Sequence, residues 1–283
     1  MLVTSDGAEE KKSEDVDVEK LTYEQWIQAA QAGRNANWKF NVTFQKEPDT
    51  PVAPLFPHNT LFHSVVEDYT MKNTSVASAN VQIAAKKTVD SELFAPCMVG
   101  TLESQFLKLQ AKTIKARRVL DIGTFTGMSA IAFAEGSLAA QQGAKVHTLE
   151  SDAHTAKVAQ DIFDTCEPAV RNAIQLHQGN AVAWMRQVAN DPNGDSFDII
   201  FIDADKDNYC AYYELAMGDG VARPLLAEGG IIMADNSLSA LLYDETDDRR
   251  VALHKFNQLV KNDDRVEQVV VTMREGVTMI SRV

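Results

Sequence analysis

The chain has 283 residues, 45% of them hydrophobic, enough to bury a full core in one large domain or in a domain with an extension. Its formal net charge of −13 repels phosphate backbones and anionic membrane faces, which argues against nucleic acid and membranes as partners. Three cysteines, Cys97, Cys166 and Cys210, stand far apart without Cys-x-x-Cys spacing, which excludes a disulfide framework or zinc knuckle and suits a reducing, cytoplasmic setting.

Residues 1–20 are charged and poor in apolar side chains; they read as an acidic, disordered tail lacking the apolar core of a signal peptide. Residues 21–60 read as an N-terminal helix and a linker. LTYEQWIQAAQAG has the pattern of a short amphipathic helix with Thr22 as cap and Gly33 as stop, and Pro48, Pro51, Pro54 and Pro57 follow. Residues 61–283 form the expected main domain. No run reaches the ~18 apolar residues of a membrane span.

Leu61 to Lys87 is expected to be mainly helical, and TLESQFLKLQAKTI has helical periodicity after a loop at PCMVG. Five strand and helix pairs follow. The strands are VLDIG, VHTLES, IQLHQG, FDIIFIDA and GGIIMADN. The helices begin near Met128, His154, Ala181, Asp207 and Asp248. VEQVVVTM and GVTMISRV, joined through Arg274, Glu275 and Gly276, read as a terminal antiparallel hairpin. Alternating apolar strands and helices predict an α/β fold: a Rossmann-like, seven-stranded sheet, mainly parallel and covered on both faces.

The turn Asp121-Ile-Gly123-Thr-Phe-Thr-Gly127 ends the first of these strands and opens a helix, the place where such folds bind ligands. The glycines are four apart rather than in a GxGxxG pattern, and Asp121 precedes them. A carboxylate there repels a diphosphate but suits an amine or sulfonium. Glu150 ends the next strand, where a carboxylate accepts the hydroxyls of a ribose. A nucleoside with positive charge and no diphosphate fits both acids, and S-adenosylmethionine answers that description.

Two further strands end in acids, the fourth at Asp203 and the fifth at Asp235 and Asn236. In a parallel sheet their ends share one edge. Two carboxylates and an amide oxygen form a hard, oxygen-only site suited to Mg2+, Ca2+ or Mn2+. Such an ion would explain why a buried strand terminates in the charged run FIDADKDNY. Lys206, one turn beyond Asp203, is then placed to take a proton from an ion-bound hydroxyl, with its pKa expected to fall in that setting. Asp205 and Asp207 read equally well as helix caps. Tyr209, Tyr212 and Tyr213 read as packing, with Tyr212 the best pocket residue of the three. Trp184 reads as core, and the scattered histidines read as surface or core.

Taken together, VLDIGTFTGMSA, VHTLESD, FIDADKDNY, GGIIMADN and the tail DDRVEQVVVTMREGVTMISR resemble the cation-dependent class I O-methyltransferases, the catechol and caffeoyl-CoA O-methyltransferases and their relatives, over Leu93 to Val283. The resemblance implies an S-adenosylmethionine-dependent O-methyltransferase with a divalent cation, magnesium first, acting as a homodimer on a small-molecule hydroxyl acceptor with vicinal oxygens. It implies Val99, Asp121, Gly123, Ser129, Glu150, Ala181 and Asp203 at the cofactor, Asp203, Asp235 and Asn236 at the metal, and Lys206 with Asp203 in catalysis. Gly100 and Gln105 would lie near the methionine end. Plant members carry Thr-Leu-Trp after the Asp-Asn pair, where this chain has Ser237-Leu-Ser239, so one aromatic wall of the acceptor pocket is missing; Tyr243 is a candidate substitute. GTLESQFLK and the tail also resemble the O-methyltransferase of mycosporine biosynthesis, which makes a cyclohexenone enol an alternative acceptor. A non-catalytic cofactor-binding module and a nicotinamide oxidoreductase are the rival readings. The intact acid set with Lys206 opposes the first, and the glycine spacing with Asp121 opposes the second.

Overall fold

Two neighbouring strands with almost wholly apolar interiors organise the molecule: β1 (Arg118–Ile122) and β4 (Phe197–Ile202). The computed structural model describes residues 69–283 except 92 and 242–246, all within one compact unit, Pro51–Val283. The acidic tail, the N-terminal helix, the proline-rich linker, the boundary at residue 61 and Tyr243 lie outside the described residues.

After a helical segment at residues 69–72, α1 (Ala79–Asp90) begins at Ser78, whose hydroxyl accepts from the Val81 amide at 3.3 Å. This cap follows a turn and a loop at residues 73–77, a short break in the described part of the mainly helical stretch expected up to Lys87. Next come α2 (Gly100–Thr113), β1, α3 (Met128–Ala140), β2 (Lys145–Glu150) and α4 (Ala153–Phe163). A short helix, α5 (Pro168–Ala173), precedes β3 (Ile174–Gln178); its proline at the first turn marks a start that periodicity over six residues is too short to reveal. The chain continues through α6 (Ala181–Asn190), β4, α7 (Tyr209–Met217), β5 (Leu226–Ala234), α8 (Asp248–Lys261), β6 (Val266–Val271) and β7 (Val277–Arg282). One 3-10 turn, Lys206–Asn208, leads into α7 and another, Ser237–Leu241, follows β5.

The seven strands form one sheet in the order β3-β2-β1-β4-β5-β7-β6. The first five are parallel, and β7 runs antiparallel to both β5 and β6, the expected terminal hairpin. Successive side chains of a strand face opposite sides, and both sides here are covered. Val119, Ile199 and Phe201 pack with Val81, Leu107, Ile131 and Phe163 from α1 to α4. Leu120, Ile122, Ile200 and Ile202 pack with Met185, Tyr213 and Phe256 from α6, α7 and α8. Chain order reverses between β1 and β4, so the crevice beyond their carboxyl ends is where this topology binds ligands. Among the described residues no helix is long and apolar enough to cross a membrane.

Candidate active site

The carboxyl ends of β1, β2, β4 and β5 converge on a cavity of about 860 Å3. Its wall includes Gly123, Glu150 and Ala181 on one side and Asp203, Lys206, Asp235 and Asn236 on the other, which places seven of the ten predicted site residues on one surface. Val99, Asp121 and Ser129 are buried. Val99 follows Cys97 and Met98, which do line the cavity. A second depression, of about 640 Å3, lies around Cys210 and Lys255 and holds none of the predicted residues.

Backbone geometry brings the turn after β1 against the end of β4. Gly123 has φ +104°, and a Cβ there would stand 2.0 Å from the Asp203 carbonyl oxygen. Its amide and that of Thr124 donate to the Leu149 carbonyl, at 3.1 and 3.0 Å, which ties the turn to β2. Gly127, at φ +89°, lets α3 start against the Phe163 ring, 2.1 Å from where a Cβ would be.

Asp121 is fully buried. Its Oδ2 accepts from Thr148 at 2.7 Å and Ser129 at 3.1 Å, while its Oδ1 has no hydrogen-bond partner. Burial, against the two hydroxyl bonds, pushes its pKa up to about 7. Glu150 accepts from the amides of Phe125 and Asp152, both at 2.9 Å. The first bond fixes Phe125 at φ 48°, a left-handed conformation a large side chain rarely takes. Ala181 opens α6 just after Asn180, whose side chain caps that helix by accepting from the Ala183 amide at 2.8 Å.

On the other side, one ammonium holds the acids together. Lys206 Nζ donates to Asp203 Oδ1 at 3.2 Å, to the Tyr209 hydroxyl at 2.7 Å, and to Asn236 Oδ1. Asn236 adopts φ 61°, which Asn tolerates better than most residues, and its Nδ2 donates to Glu275 at 2.7 Å, so that its oxygen faces Lys206. Asp235 is buried and its Oδ1 has no partner. Burial first, then the charge of Asp203, raises its pKa. Burial alone would lower the pKa of Lys206, but Tyr209, Asp203 and Asp235 outweigh it and hold the lysine as an ammonium. The fall expected of the Lys206 pKa belongs to a setting with a bound metal; among these side chains alone the surrounding negative charge raises it.

Further contributors lie outside the ten predicted site residues. The Tyr209 ring is core, T-shaped on Phe256 at 5.4 Å, yet its hydroxyl meets Lys206. Tyr212 lines the cavity and donates to Asp205 at 2.5 Å, as its placement as the pocket tyrosine suggested. Glu103 of α2 is 1% exposed, and neither of its carboxylate oxygens has a hydrogen-bond partner. Arg274, in the turn between β6 and β7, approaches it to 4.0 Å and donates to the Met98 carbonyl at 3.0 Å. Elsewhere, His147 and His177 stack with ring nitrogens 3.0 Å apart beside Trp184. Among the described residues no group of three His, Cys, Asp or Glu side chains is placed to hold a metal; the candidate donors are two carboxylates and an amide.

A family model described as O-methyltransferase matches residues 72–283. The O-methyltransferase ankF of Aspergillus thermomutatus is 31% identical over 240 residues, covering 80% of this chain and 95% of its own. A caffeoyl-CoA O-methyltransferase of Populus kitakamiensis is 29% identical, over 64% of this chain and 76% of that one. The solved O-methyltransferase of Bacillus cereus in complex with SAH superposes with a TM-score of 0.67 at 26% identity, covering 77% of this chain and 97% of its own. Gly123 and Glu150 line a cavity at the carboxyl ends of the parallel strands, where this topology binds ligands. The chain therefore belongs to the O-methyltransferase family and is an S-adenosylmethionine-dependent O-methyltransferase.

Proposed function

We propose that this enzyme transfers the methyl group of S-adenosylmethionine to one of two neighbouring oxygens on a small, catechol-like molecule, with a divalent cation at Asp203, Asp235 and Asn236. The observation that carries this reading is the shared ammonium. Lys206 bridges Asp203 and Asn236 in the position a cation would take, while a buried oxygen of Asp235 stays without a partner. All the donors are oxygens, and Glu275 holds the Asn236 amide so that its oxygen faces inward, which fits a hard ion such as Mg2+. When bound, a divalent cation supplies Lewis acidity that lowers the pKa of an acceptor hydroxyl.

The chain's own part is positioning and proton handling. Gly123 lets the cofactor approach the backbone, Glu150 offers carboxylate oxygen to the ribose, and buried Asp121 favours the positive end. Asp203 stands beside the Gly123 turn and so between the two ligands. Lys206 becomes a base only after it yields its ammonium contacts on Asp203 and Asn236 to another cation, since Tyr209, Asp203 and Asp235 now keep it protonated. Orientation and charge stabilisation would supply most of the rate. The acidic chain is consistent with a small-molecule partner rather than nucleic acid or membrane, and the homodimer implied by the family stands as part of this reading.

The test is a panel of catechols, caffeoyl esters and a cyclohexenone enol with labelled cofactor, with and without chelator. Transfer to a vicinal oxygen that stops on chelation and returns with Mg2+ is expected. Full activity in the chelated enzyme would overturn the cation site.

A further inference from the structure

The turn between β6 and β7 touches both sides of the cavity. Residues 273–276 close on themselves, the Gly276 amide donating to the Met273 carbonyl at 2.8 Å. On one side the turn is fastened to the 3-10 turn after β5. The Ser237 and Leu238 amides donate to the carbonyls of Gly276 and Glu275, at 3.0 and 2.8 Å. A Cβ at Gly276 would stand 2.5 Å from the Leu238 side chain, so the two turns are in close contact. The Glu275 carboxylate adds bonds from Asn236 at 2.7 Å and Ser239 at 3.1 Å. The hairpin turn is therefore tied to the end of β5, where the cation is proposed to sit.

Arg274 reaches the opposite side. It holds φ 47°, a conformation glycine adopts at least cost, and its largely buried side chain lines the cavity. Nη1 donates to the Met98 carbonyl at 3.0 Å and stands 4.0 Å from Glu103. Burial first, then Asp235, raises the Glu103 pKa well above its ordinary value, so the bond to the carbonyl is the firmer contact. Met98 leads into α2 and Glu103 lies in its first turn, an N-terminus that no described side chain caps. α2 is bound in turn to α3. A Cβ at Gly136 would stand 2.2 Å from the Lys108 carbonyl oxygen, and Lys108 pairs with Glu135 at 2.8 Å. α3 opens directly from the turn at Gly123 to Gly127. Two adjacent residues, Arg274 and Glu275, thus hold the cofactor side and the cation side of one cavity.

We infer that Arg274 is a positioning residue for methyl transfer: it fixes the segment from Met98 to Glu103 against the hairpin turn and so sets the cofactor side at one distance from Asp235 and Asn236. The inference rests on the methyl-transfer reading above. In-line transfer depends on alignment, and a displacement of about 1 Å originating away from the reacting atoms can cost roughly 10²-fold in rate. Arginine suits the task because its planar fork turns one N–H to the carbonyl while the guanidinium faces Glu103, which a lysine's single ammonium does less rigidly.

The experiment uses the full chain and has a turnover arm and an exchange arm. Arg274→Met keeps the length of the side chain and removes its donors. With a catechol acceptor, kcat should fall by roughly 10- to 100-fold, while acceptor KM, the affinity for S-adenosylhomocysteine and the half-maximal Mg2+ concentration stay within about threefold. Hydrogen exchange with S-adenosylhomocysteine bound reads the segment without turnover: residues 97–106 should exchange several-fold faster, and Ser237–Leu241 as in the parent. Arg274→Met combined with Glu103→Gln leaves no carboxylate for an arginine to offset, and its kcat should stay as low as that of the single variant. Parental kcat in the double variant would mean that the arginine only answers Glu103, and overturns the inference. So does a single-variant kcat within about twofold of the parent, unchanged exchange at 97–106, or cofactor affinity that falls as far as kcat. Should Arg274→Met not fold, Arg274→Lys is read against the same limits, with an expected fall in kcat of about fivefold. If the parent methylates no acceptor, the vicinal-oxygen reading fails, and the exchange arm alone decides whether Arg274 fixes the segment.

Discussion

At the ends of β1 and β2, Asp121 accepts from Ser129 and Thr148, and Glu150 accepts from two backbone amides. At the ends of β4 and β5, a single ammonium serves Asp203 and Asn236, while one oxygen of Asp235 and both of Glu103 have no hydrogen-bond partner. The first end, one oxygen of Asp121 apart, is satisfied by the protein's own donors, so its shape should persist without ligand. The other end gathers like charges that burial makes costly, and the proposed cation would offset them. The first end is therefore the better satisfied, and under the proposed function a cation answers the charge at the second.

The largest effect should come from the point where the two ends touch. Gly123→Ala would place a Cβ 2.0 Å from the Asp203 carbonyl oxygen, at a φ of +104° that an alanine tolerates poorly. The β1 turn and the end of β4 cannot both stay in place, so cofactor binding and cation-dependent turnover should be lost together. Destabilisation of about 3–5 kcal/mol is expected in chemical unfolding. Loss of only one of the two functions would show that the ends are less tightly joined than the backbone indicates.

A pH experiment separates the cost of burying charge at the cofactor end. Burial raises the Asp121 pKa from its ordinary value of 3.8 to about 7. Between these values the folded chain holds a proton that the unfolded chain has lost, so stability falls as pH rises through the window. The stabilising proton is fully present below about 3.8 and gone above about 7. The isosteric Asp121→Asn keeps an acceptor for Ser129 and Thr148 and removes the titration. The variant's advantage over the parent, measured by unfolding of ligand-free protein, should grow from near zero at pH 4 to about 4 kcal/mol at pH 8. A flat difference would mean that Asp121 ionises as freely as an exposed acid.

Asp203→Asn tests the other end alone. The amide keeps the shape and removes the charge facing Lys206, and the backbone contact with Gly123 is untouched. Turnover with Mg2+ should fall by roughly 10²–10³-fold, while cofactor affinity stays within a few-fold of the parent. An equal loss in both would merge the two ends into one site.

The strand ends were legible because the chemistry is local: VLDIG, VHTLE, FIDAD and MADN each place an acid within two residues of an apolar run. Once the alternation of strands and helices implied a parallel sheet, these acids had to share an edge. Glu103 and Arg274 were not legible. Arg274 meets the Met98 carbonyl across 176 positions of sequence, and nothing in TLESQFLK says that its glutamate faces inward. Tyr209 was half legible, since helical spacing announced its buried ring but not that its hydroxyl would reach back to Lys206. The protonation of Lys206 without a cation was not legible for a related reason. Sequence shows which acids are near one another along the chain, and the sign of the field at Nζ depends on how many of them the fold brings together.

The smallest effect is the sharpest discriminator. Glu150 uses each carboxylate oxygen on a backbone amide, Phe125 on one side and Asp152 on the other, and keeps lone pairs for a ribose. Glu150→Gln retains one acceptor and turns the other position into a donor facing an N–H, so one of these bonds is lost and Phe125 is held less firmly at its φ of 48°. Cofactor affinity should fall by roughly tenfold, about 1.4 kcal/mol, when titrated calorimetrically with S-adenosylhomocysteine. The Mg2+ concentration for half-maximal turnover should not move at saturating cofactor, because no bond of Glu150 reaches the ends of β4 or β5. If that concentration rises as far as the cofactor affinity falls, charge at the end of β2 is felt at the cation, and the independence of the two ends is lost at its weakest point rather than at Gly123.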